Sequence, residues 1–255
     1  MIRLGICTSI DNAAAMAAMG YDYVELGMTA VTQMSDDDYA ALRRKVEASP
    51  IPVEAMNGMI PADYALCSEK GVGQEVRAYL DKAFTRAQEL GVQVVVFGSG
   101  GARRLPEGMS YADGYRYLTA YLQLAGDMAA QHGISIAIEP LRAQECNIIN
   151  HVAEAQYLAQ QAGRKNVGAL ADLYHMMAGG EDSTALQRGV IHCHIAERDK
   201  RAYPKAGDGT QDAYAAFFGM LKKYGYNGRV SVEGGCEDFE RDARAAYEEL
   251  DGYRK

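Results

Sequence analysis

The feature that most constrains the fold is a regular alternation of short apolar runs with longer amphipathic segments. This alternation is typical of parallel strands joined by crossover helices. A glycine just after a predicted helix can supply the left-handed residue that commonly ends a helix before a strand. Four glycines lie at such positions: Gly20, Gly91, Gly133 and Gly225. The predicted strands are 3–8, 21–26, 52–57, 92–98, 134–140, 167–172, 190–196 and 229–233. The predicted helices are 12–18, 36–48, 74–90, 112–132, 153–162, 181–187, 212–224 and 238–250.

Eight strand–helix units in 255 residues indicate a closed parallel barrel. An open doubly wound sheet would give a similar alternation, but no G-x-G-x-x-G follows the first apolar run, as it does in dinucleotide-binding folds. Several runs are apolar on both faces, which suits strands enclosed by helices. We therefore predict an α/β protein with a (β/α)₈ TIM barrel, formed by residues 1–255 as a single domain.

Composition argues against several classes of partner. The net charge is −8 and no run of Lys or Arg occurs, so nucleic acid is not an expected partner. No stretch approaches the roughly 18 apolar residues of a membrane span, and the N-terminal residues are typical of a strand rather than a signal peptide. Five scattered cysteines without a C-x-x-C pair predict neither a disulfide framework nor a zinc knuckle. The scattered cysteines favour a reducing cytoplasm.

Four consecutive late strands each end in a residue that can bind a metal. These are Glu139, Asp172, His194 and Glu233. A single carboxylate at a strand end is more often a cap or a surface group. Four together at the mouth of a barrel would repel one another unless a cation lay between them. The sequence therefore predicts one divalent metal ion.

The donor set indicates which metal to expect. Oxygen ligands dominate and no cysteine is predicted to join them, which favours a hard or borderline ion. We expect Mn²⁺, with Mg²⁺, Co²⁺ or Zn²⁺ as alternatives.

Four motifs carry a resemblance to a known family. They are Glu139-Pro140-Leu141, Asp172-x-x-His175, His192-x-His194 and Val232-Glu233-Gly234. The chain resembles the sugar phosphate isomerase/epimerase superfamily of xylose isomerase-like barrels, and its motifs are most similar to those of ketose 3-epimerases. The resemblance implies that Glu139, Asp172, His194 and Glu233 bind the metal. It also implies that Glu139 and Glu233 exchange protons with a small ketose or sugar phosphate through a metal-stabilised enediolate.

The same resemblance suggests which residues contact the substrate. It implies that His175, in the loop after strand six, and Glu145 bind substrate oxygens. The usual arginine after strand seven is displaced, and Arg201 is our first choice for it and Arg198 the second. For each residue an ordinary surface or capping role is the alternative.

Three further positions have less specific roles. Glu25 ends strand two and is expected to support the ligands, although the sequence does not identify its partner. His192 lies deeper in the barrel than His194 and is expected to support it or to pack. The basic loop 98–104 is a weak candidate for binding a phosphate or carboxylate through Arg103 or Arg104; its glycines could instead serve a sharp turn.

Several alternatives remain open. A metal-dependent dehydratase of the inosose type would use the same metal and base but expel a hydroxyl group. A DNA-repair endonuclease of the AP-endonuclease type would need a histidine-rich three-metal cluster. This chain has only five histidines and a net negative charge that would repel DNA, and both features argue against this alternative. A barrel that binds a ligand without turnover is the third alternative. The identity of the sugar, its phosphorylation, the choice between epimerisation and isomerisation, and assembly into a homo-oligomer are left undecided.

Overall fold

The computed structural model describes residues 1–186 and 188–255, and in it eight parallel strands follow one another around a closed barrel. Each predicted run overlaps one strand, and only the second strand extends beyond its run, by one residue, so the prediction of a (β/α)₈ TIM barrel is confirmed. The strands are β1 (Arg3–Cys7), β2 (Tyr23–Gly27), β3 (Val53–Asn57), β4 (Val94–Phe97), β5 (Ser135–Ile138), β6 (Val167–Asp172), β7 (Val190–Ile195) and β8 (Arg229–Val232).

Helices connect these strands. In the described residues they are α1 (Ala13–Met19), α2 (Met28–Gln33), α3 (Asp36–Glu47), α4 (Gln74–Glu89), α5 (Gly100–Arg103), α6 (Tyr111–Gln131), α7 (Val152–Ala162), α8 (Leu173–Ala178), α9 (Gln211–Lys223) and α10 (Phe239–Arg254). Short 3₁₀ helices occur at Ile10–Asn12, Glu69–Val72 and Ser183–Ala185. Helices α2 and α5 were not predicted, because each is only four to six residues long.

The helix predicted for 181–187 is wrong. The helix after β6 begins at once, at Leu173, because the Asp172 carboxylate accepts the backbone N–H of Tyr174 at 2.8 Å and caps it. Only Ser183–Ala185 forms a 3₁₀ turn in the predicted segment, and Gln187 lies outside the described residues.

Alternate residues of the strands face the barrel interior and the surrounding helices. In β4, Val94 and Val96 belong to the small interior cluster, whereas Val95 and Phe97 belong to the large core beneath the helices. The ring of Tyr23 fills so much of the interior that a Cβ at Gly5 would lie 2.4 Å from it. Both faces of the strands are therefore buried, which explains why the runs are continuously apolar.

All strands are parallel, so their carboxyl ends gather at one rim of the barrel. Polar residues at these ends therefore converge, although they come from distant parts of the chain. Among the described residues, no helix is both long and apolar enough to cross a membrane.

Candidate functional site

Four side chains from the last four strands meet at the mouth of the barrel. Glu139, Asp172, His194 and Glu233 each offer one ligand atom, and these atoms all lie within 4.8 Å of one another. Asp172 and His194 are almost completely buried, whereas the Glu233 side chain is 20% exposed. The structure thus brings together the four residues singled out in the sequence, and the cluster is a candidate metal site.

Backbone pairing fixes the relative heights of these residues. Asp172, the last residue of β6, lies opposite His194 in β7. The backbone N–H of Glu233 donates to Ile195 O at 3.1 Å, and that of Glu139 donates to Phe97 O at the same distance. The strand ends are staggered around the mouth: His194 pairs with Ser231, two residues before Glu233, and Ile138, which precedes Glu139, pairs with Ala169, three residues before Asp172.

The imidazole of His194 supports the assignment of a cation site. Its Nε2 lies 3.0 Å from Glu25 Oε1, so we assign the proton to Nε2 and leave the lone pair on Nδ1. Nδ1 lies 3.3 Å from Glu139 Oε1 and 3.2 Å from Glu233 Oε2. A lone pair facing two carboxylate oxygens is unfavourable unless a proton or metal cation lies between them. Burial opposes protonation of His194, but Glu233 and Glu25 outweigh it and raise the pKa of His194 well above its usual range.

One carboxylate oxygen of Asp172 is not used in hydrogen bonding among the described residues. Oδ1 caps α8, whereas buried Oδ2 has no hydrogen-bond partner in the described part of the chain. The nearest positive group is Arg201 Nη2, at 3.5 Å. An unpaired buried oxygen typically costs about 1–3 kcal/mol. A metal ion bound to this oxygen would offset that cost, so the donor set fits a divalent cation.

The carboxylates of the cluster have different affinities for protons. Burial and the charge of Glu233 raise the pKa of Glu139, and burial is also the main reason that the pKa of Asp172 is raised. Burial would raise the pKa of Glu233 as well, but His194 and Arg201 outweigh it and lower that pKa to about 2. The cluster therefore lacks positive charge for its three carboxylates, as expected of a site that takes up a cation.

A buried network lies behind His194. Glu25 Oε2 is 2.8 Å from His192 Nε2 and accepts a hydrogen bond from Ser231 Oγ at 2.6 Å. The hydroxyl of Tyr23 extends the network to Ser231, at 2.6 Å. The structure thus supplies the partners of Glu25 that the sequence did not identify, and it places His192 below the site rather than in it.

His175 lies in α8 rather than in a loop, and it is buried. Its Nδ1 accepts the backbone N–H of Arg142 at 3.3 Å, so we place the ring proton on Nε2. Nε2 is 3.7 Å from Asp172 Oδ2 and has no hydrogen-bond partner among the residues described. Burial lowers the pKa of His175, which favours a neutral ring with one free donor beside the cluster.

Arg201 reaches the cluster from the loop after β7. Its Nη2 lies 2.6 Å from Glu233 Oε2, and its guanidinium stands 5.0 Å from the centre of the Tyr174 ring. Glu145, at the rim, lies 3.7 Å from Arg201 Nη1 and accepts a hydrogen bond from Arg142 Nε at 2.7 Å. Arg198, the second choice, is exposed and contacts the sulfur of Met177 instead.

Two residues at the site were not expected. Although the sequence predicted that no cysteine would join the ligands, the Cys7 sulfur lies within 4.8 Å of ligand atoms of His194 and Glu233, in a group separate from the four-residue cluster. Burial, followed by the charge of Glu25, raises the pKa of the Cys7 thiol well above its usual range. Asn57 donates to Glu233 Oε1 at 2.8 Å. Both residues end strands of the barrel, but the criterion applied to the sequence selected only carboxylates and imidazoles and therefore missed a thiol and an amide.

The loop 98–104 differs from its predicted role. Arg103 is completely buried and donates to backbone carbonyls, so the hypothesis that it binds a substrate anion is wrong. Arg104 is exposed, and it donates to the backbone O of Glu145 at 2.6 Å.

Known proteins share this architecture. An L-ribulose 3-epimerase from Methylomonas sp. (strain DH-1) is 26% identical over 224 residues, which cover 86% of this chain and 76% of that protein. A crystal structure of a D-psicose 3-epimerase in the presence of D-fructose has a TM-score of 0.82 at 18% identity, covering 99% of this chain and 98% of that one. A structure of the IOLI protein with a zinc atom has a TM-score of 0.74 at 20% identity, covering 99% and 96%.

The sequence profile of one family spans almost the whole chain. It matches residues 13–255, which include the four cluster residues at the barrel mouth. The protein therefore belongs to the xylose isomerase-like TIM barrel family.

Proposed function

We propose that the protein is a divalent-metal-dependent isomerase or epimerase of a small ketose. The 3-epimerase relatives support the isomerase and epimerase class. The observation that carries the proposal is the convergence of Glu139, Asp172, His194 and Glu233 within 4.8 Å, with an unpaired buried oxygen on Asp172.

These four residues would hold the metal. Three carboxylates and one imidazole favour Mn²⁺, and the zinc atom in the IOLI structure supports Zn²⁺ as an alternative. A bound divalent ion would polarise the carbonyl group of a ketose and make the adjacent C–H bond more acidic.

Glu139 and Glu233 are suited to move the proton. Their carboxylates flank His194 Nδ1, at 3.3 and 3.2 Å, and come from strands on either side of β6 and β7. One carboxylate would remove the proton and the other would return it. Return to the opposite face of the same carbon gives epimerisation, whereas delivery to the neighbouring carbon gives aldose–ketose interconversion.

Other residues of the mouth would orient the substrate. The free Nε2–H of His175 is placed to donate to a carbonyl or hydroxyl oxygen. Arg201 and Glu145 would bind further hydroxyl groups. Arg142 and Arg201 already face carboxylates, at 2.7 and 2.6 Å, which favours an uncharged polyol over a sugar phosphate.

The first experiment measures bound metal in the purified protein by elemental mass spectrometry. We expect about one equivalent in the wild type, consistent with a single site of this ligand type, and its loss in Glu139→Gln/His194→Ala. Ketoses are then screened in D₂O for exchange at the carbon beside the carbonyl group. Absence of metal after incubation with Mn²⁺, Co²⁺ or Zn²⁺ would contradict the proposal, and loss of water from an inosose without epimerised product would favour the dehydratase.

A further inference from the structure

The segment that follows β4 closely surrounds Glu139. A Cβ built on Gly98 would lie 2.2 Å from Glu139 Oε2, a distance that real Cβ atoms essentially never show. Gly98 is not among the glycines with positive φ, so its backbone does not require glycine. The reason for glycine at this position is space, because the carboxylate of Glu139 occupies the volume of the missing side chain.

Arg103 holds the same residue through its backbone. Its Nη2 donates to Glu139 O at 2.7 Å and its Nη1 to Phe97 O at 3.0 Å. Phe97 ends β4 and Glu139 directly follows β5, so one guanidinium joins the carboxyl ends of two neighbouring strands. The side chain is 0% exposed, and the described residues place no carboxylate in an ion pair with it. A buried cation is costly, and here its hydrogen bonds serve to fix the strand ends.

The backbone around Arg103 is itself well anchored. Its N–H donates to Ser99 O at 3.2 Å, and its carbonyl accepts the Cys67 thiol at 3.1 Å. Ser99 has a φ of 29°, a strained value for a residue with a side chain, and its hydroxyl accepts the N–H of Ile60. The short segment is thus held from both sides while it contacts Glu139.

We propose that Gly98 and Arg103 are positioning residues for Glu139. Gly98 leaves the space in which the Glu139 carboxylate lies, and Arg103 fixes the Glu139 backbone carbonyl. This inference rests on the proposed function, in which Glu139 binds the metal and transfers a proton. It gives the basic, glycine-containing segment 98–103 a role in shaping the site instead of binding a substrate anion.

The test compares Gly98→Ala with Gly27→Ala. Gly27 also lies at the mouth end of a strand, but a Cβ there has Asn57 Oδ1 as its neighbour at an ordinary 3.9 Å. We expect crystal structures to show the Glu139 carboxylate displaced in Gly98→Ala and unchanged in Gly27→Ala. The affinity for Mn²⁺, measured by calorimetry, should fall about 10- to 100-fold in Gly98→Ala only, as for other residues that orient metal ligands.

A second substitution separates positioning from a general loss of structure. Glu139→Asp shortens the side chain by one methylene group and so makes room for a Cβ at position 98. The double variant Gly98→Ala/Glu139→Asp should therefore bind Mn²⁺ more tightly than expected if the affinity losses of the two single variants simply added. A purely structural role of Gly98 would give additive losses and no rescue. An unmoved Glu139 carboxylate in Gly98→Ala would overturn the inference for Gly98.

Arg103 is tested with two further variants. Arg103→Met removes both donor nitrogens that contact the strand ends, whereas Arg103→Lys keeps the charge and one donor nitrogen, so we expect the fall in Mn²⁺ affinity to be larger in Arg103→Met. Equal affinities in these variants and the wild type would overturn the role of Arg103. If the wild type binds no metal, the proposed function fails, but the position of Glu139 in the crystal structures of Gly98→Ala and Arg103→Lys still decides this inference.

Discussion

Glu25 Oε1 lies 3.0 Å from His194 Nε2, while the other oxygen of the same carboxylate lies 2.8 Å from His192 Nε2. Burial opposes ionisation of Glu25, but the charges and hydrogen bonds of the two histidines outweigh it and lower the pKa of Glu25 well below its usual range. An ionised acceptor at Nε2 holds His194 in the tautomer that directs Nδ1 at the candidate metal site. The buried network thus determines which nitrogen of His194 is available.

We therefore expect Glu25→Gln to weaken metal binding. The amide can donate as well as accept, so it no longer requires a proton on His194 Nε2. Metal affinity should fall about 10- to 100-fold, which is typical for loss of such a partner. Titration of the metal-free variant with Mn²⁺, and the visible spectrum of its Co²⁺ form, would measure the effect.

Glu54→Gln is the matched control for Glu25→Gln. Glu54 is also a buried glutamate of a neighbouring strand, but it pairs with Arg3 and Arg229 rather than with a ligand of the site. Its replacement should lower the free energy of unfolding without changing metal affinity. Equal affinities in Glu25→Gln and Glu54→Gln would contradict the role assigned to Glu25.

The second prediction concerns Glu233. Glu233→Gln should retain the fold, because the side chain lies at the mouth and is 20% exposed. Loss of a general acid or base typically costs about 10²- to 10⁴-fold, and we expect solvent-proton exchange of the substrate to fall by that factor. Exchange in D₂O, followed by NMR, measures it, with exposed Glu237→Gln as the control. Near-normal exchange in Glu233→Gln would exclude Glu233 as a proton carrier.

The third prediction concerns Arg201. Arg201→Ala removes a cation that reaches the cluster, so we expect kcat/KM to fall about 10- to 100-fold, the loss typical of one hydrogen bond involving a charged group. If Arg201 binds the substrate equally well in the ground state and the transition state, most of the fall in kcat/KM should appear as an increase in KM. Arg198→Ala removes a nearby exposed arginine and should leave kcat/KM unchanged. Similar kcat/KM values for Arg201→Ala and Arg198→Ala would contradict a role of Arg201 in substrate binding.

The fourth prediction tests the barrel core without reference to activity. Gly5→Ala would place a Cβ 2.4 Å from the Tyr23 ring, and overpacking of this kind typically costs about 1–3 kcal/mol of unfolding free energy. Gly219 is exposed in α9 and, among the described atoms, a Cβ there meets nothing within 4 Å. Gly219→Ala should stabilise the protein by about 0.5–1 kcal/mol. Urea unfolding of both variants measures the difference, and a stabilising Gly5→Ala would contradict the packing described.

The sequence was sufficient to predict the barrel and the four residues that converge at its mouth. Strand periodicity is a local property, and parallel strands bring their carboxyl ends to one rim whatever the loops contain. A residue such as Asp172 at the end of an apolar run could therefore be assigned to the mouth. The same local reasoning missed the start of α8, because it treated Asp172 as a ligand and overlooked its capability as a helix cap.

Only the tertiary structure revealed how the candidate ligands are held. Glu25 and His192 are 167 residues apart, and Arg103 and the carbonyl of Glu139 are 36 residues apart. Such contacts depend on strand register, side-chain rotamers and the approach of separate segments to within about 3 Å, the range of a hydrogen bond. Local patterns carry no information on these distances. The sequence therefore determined which chemical groups reach the mouth, and tertiary packing decided which atoms of those groups remain free to act.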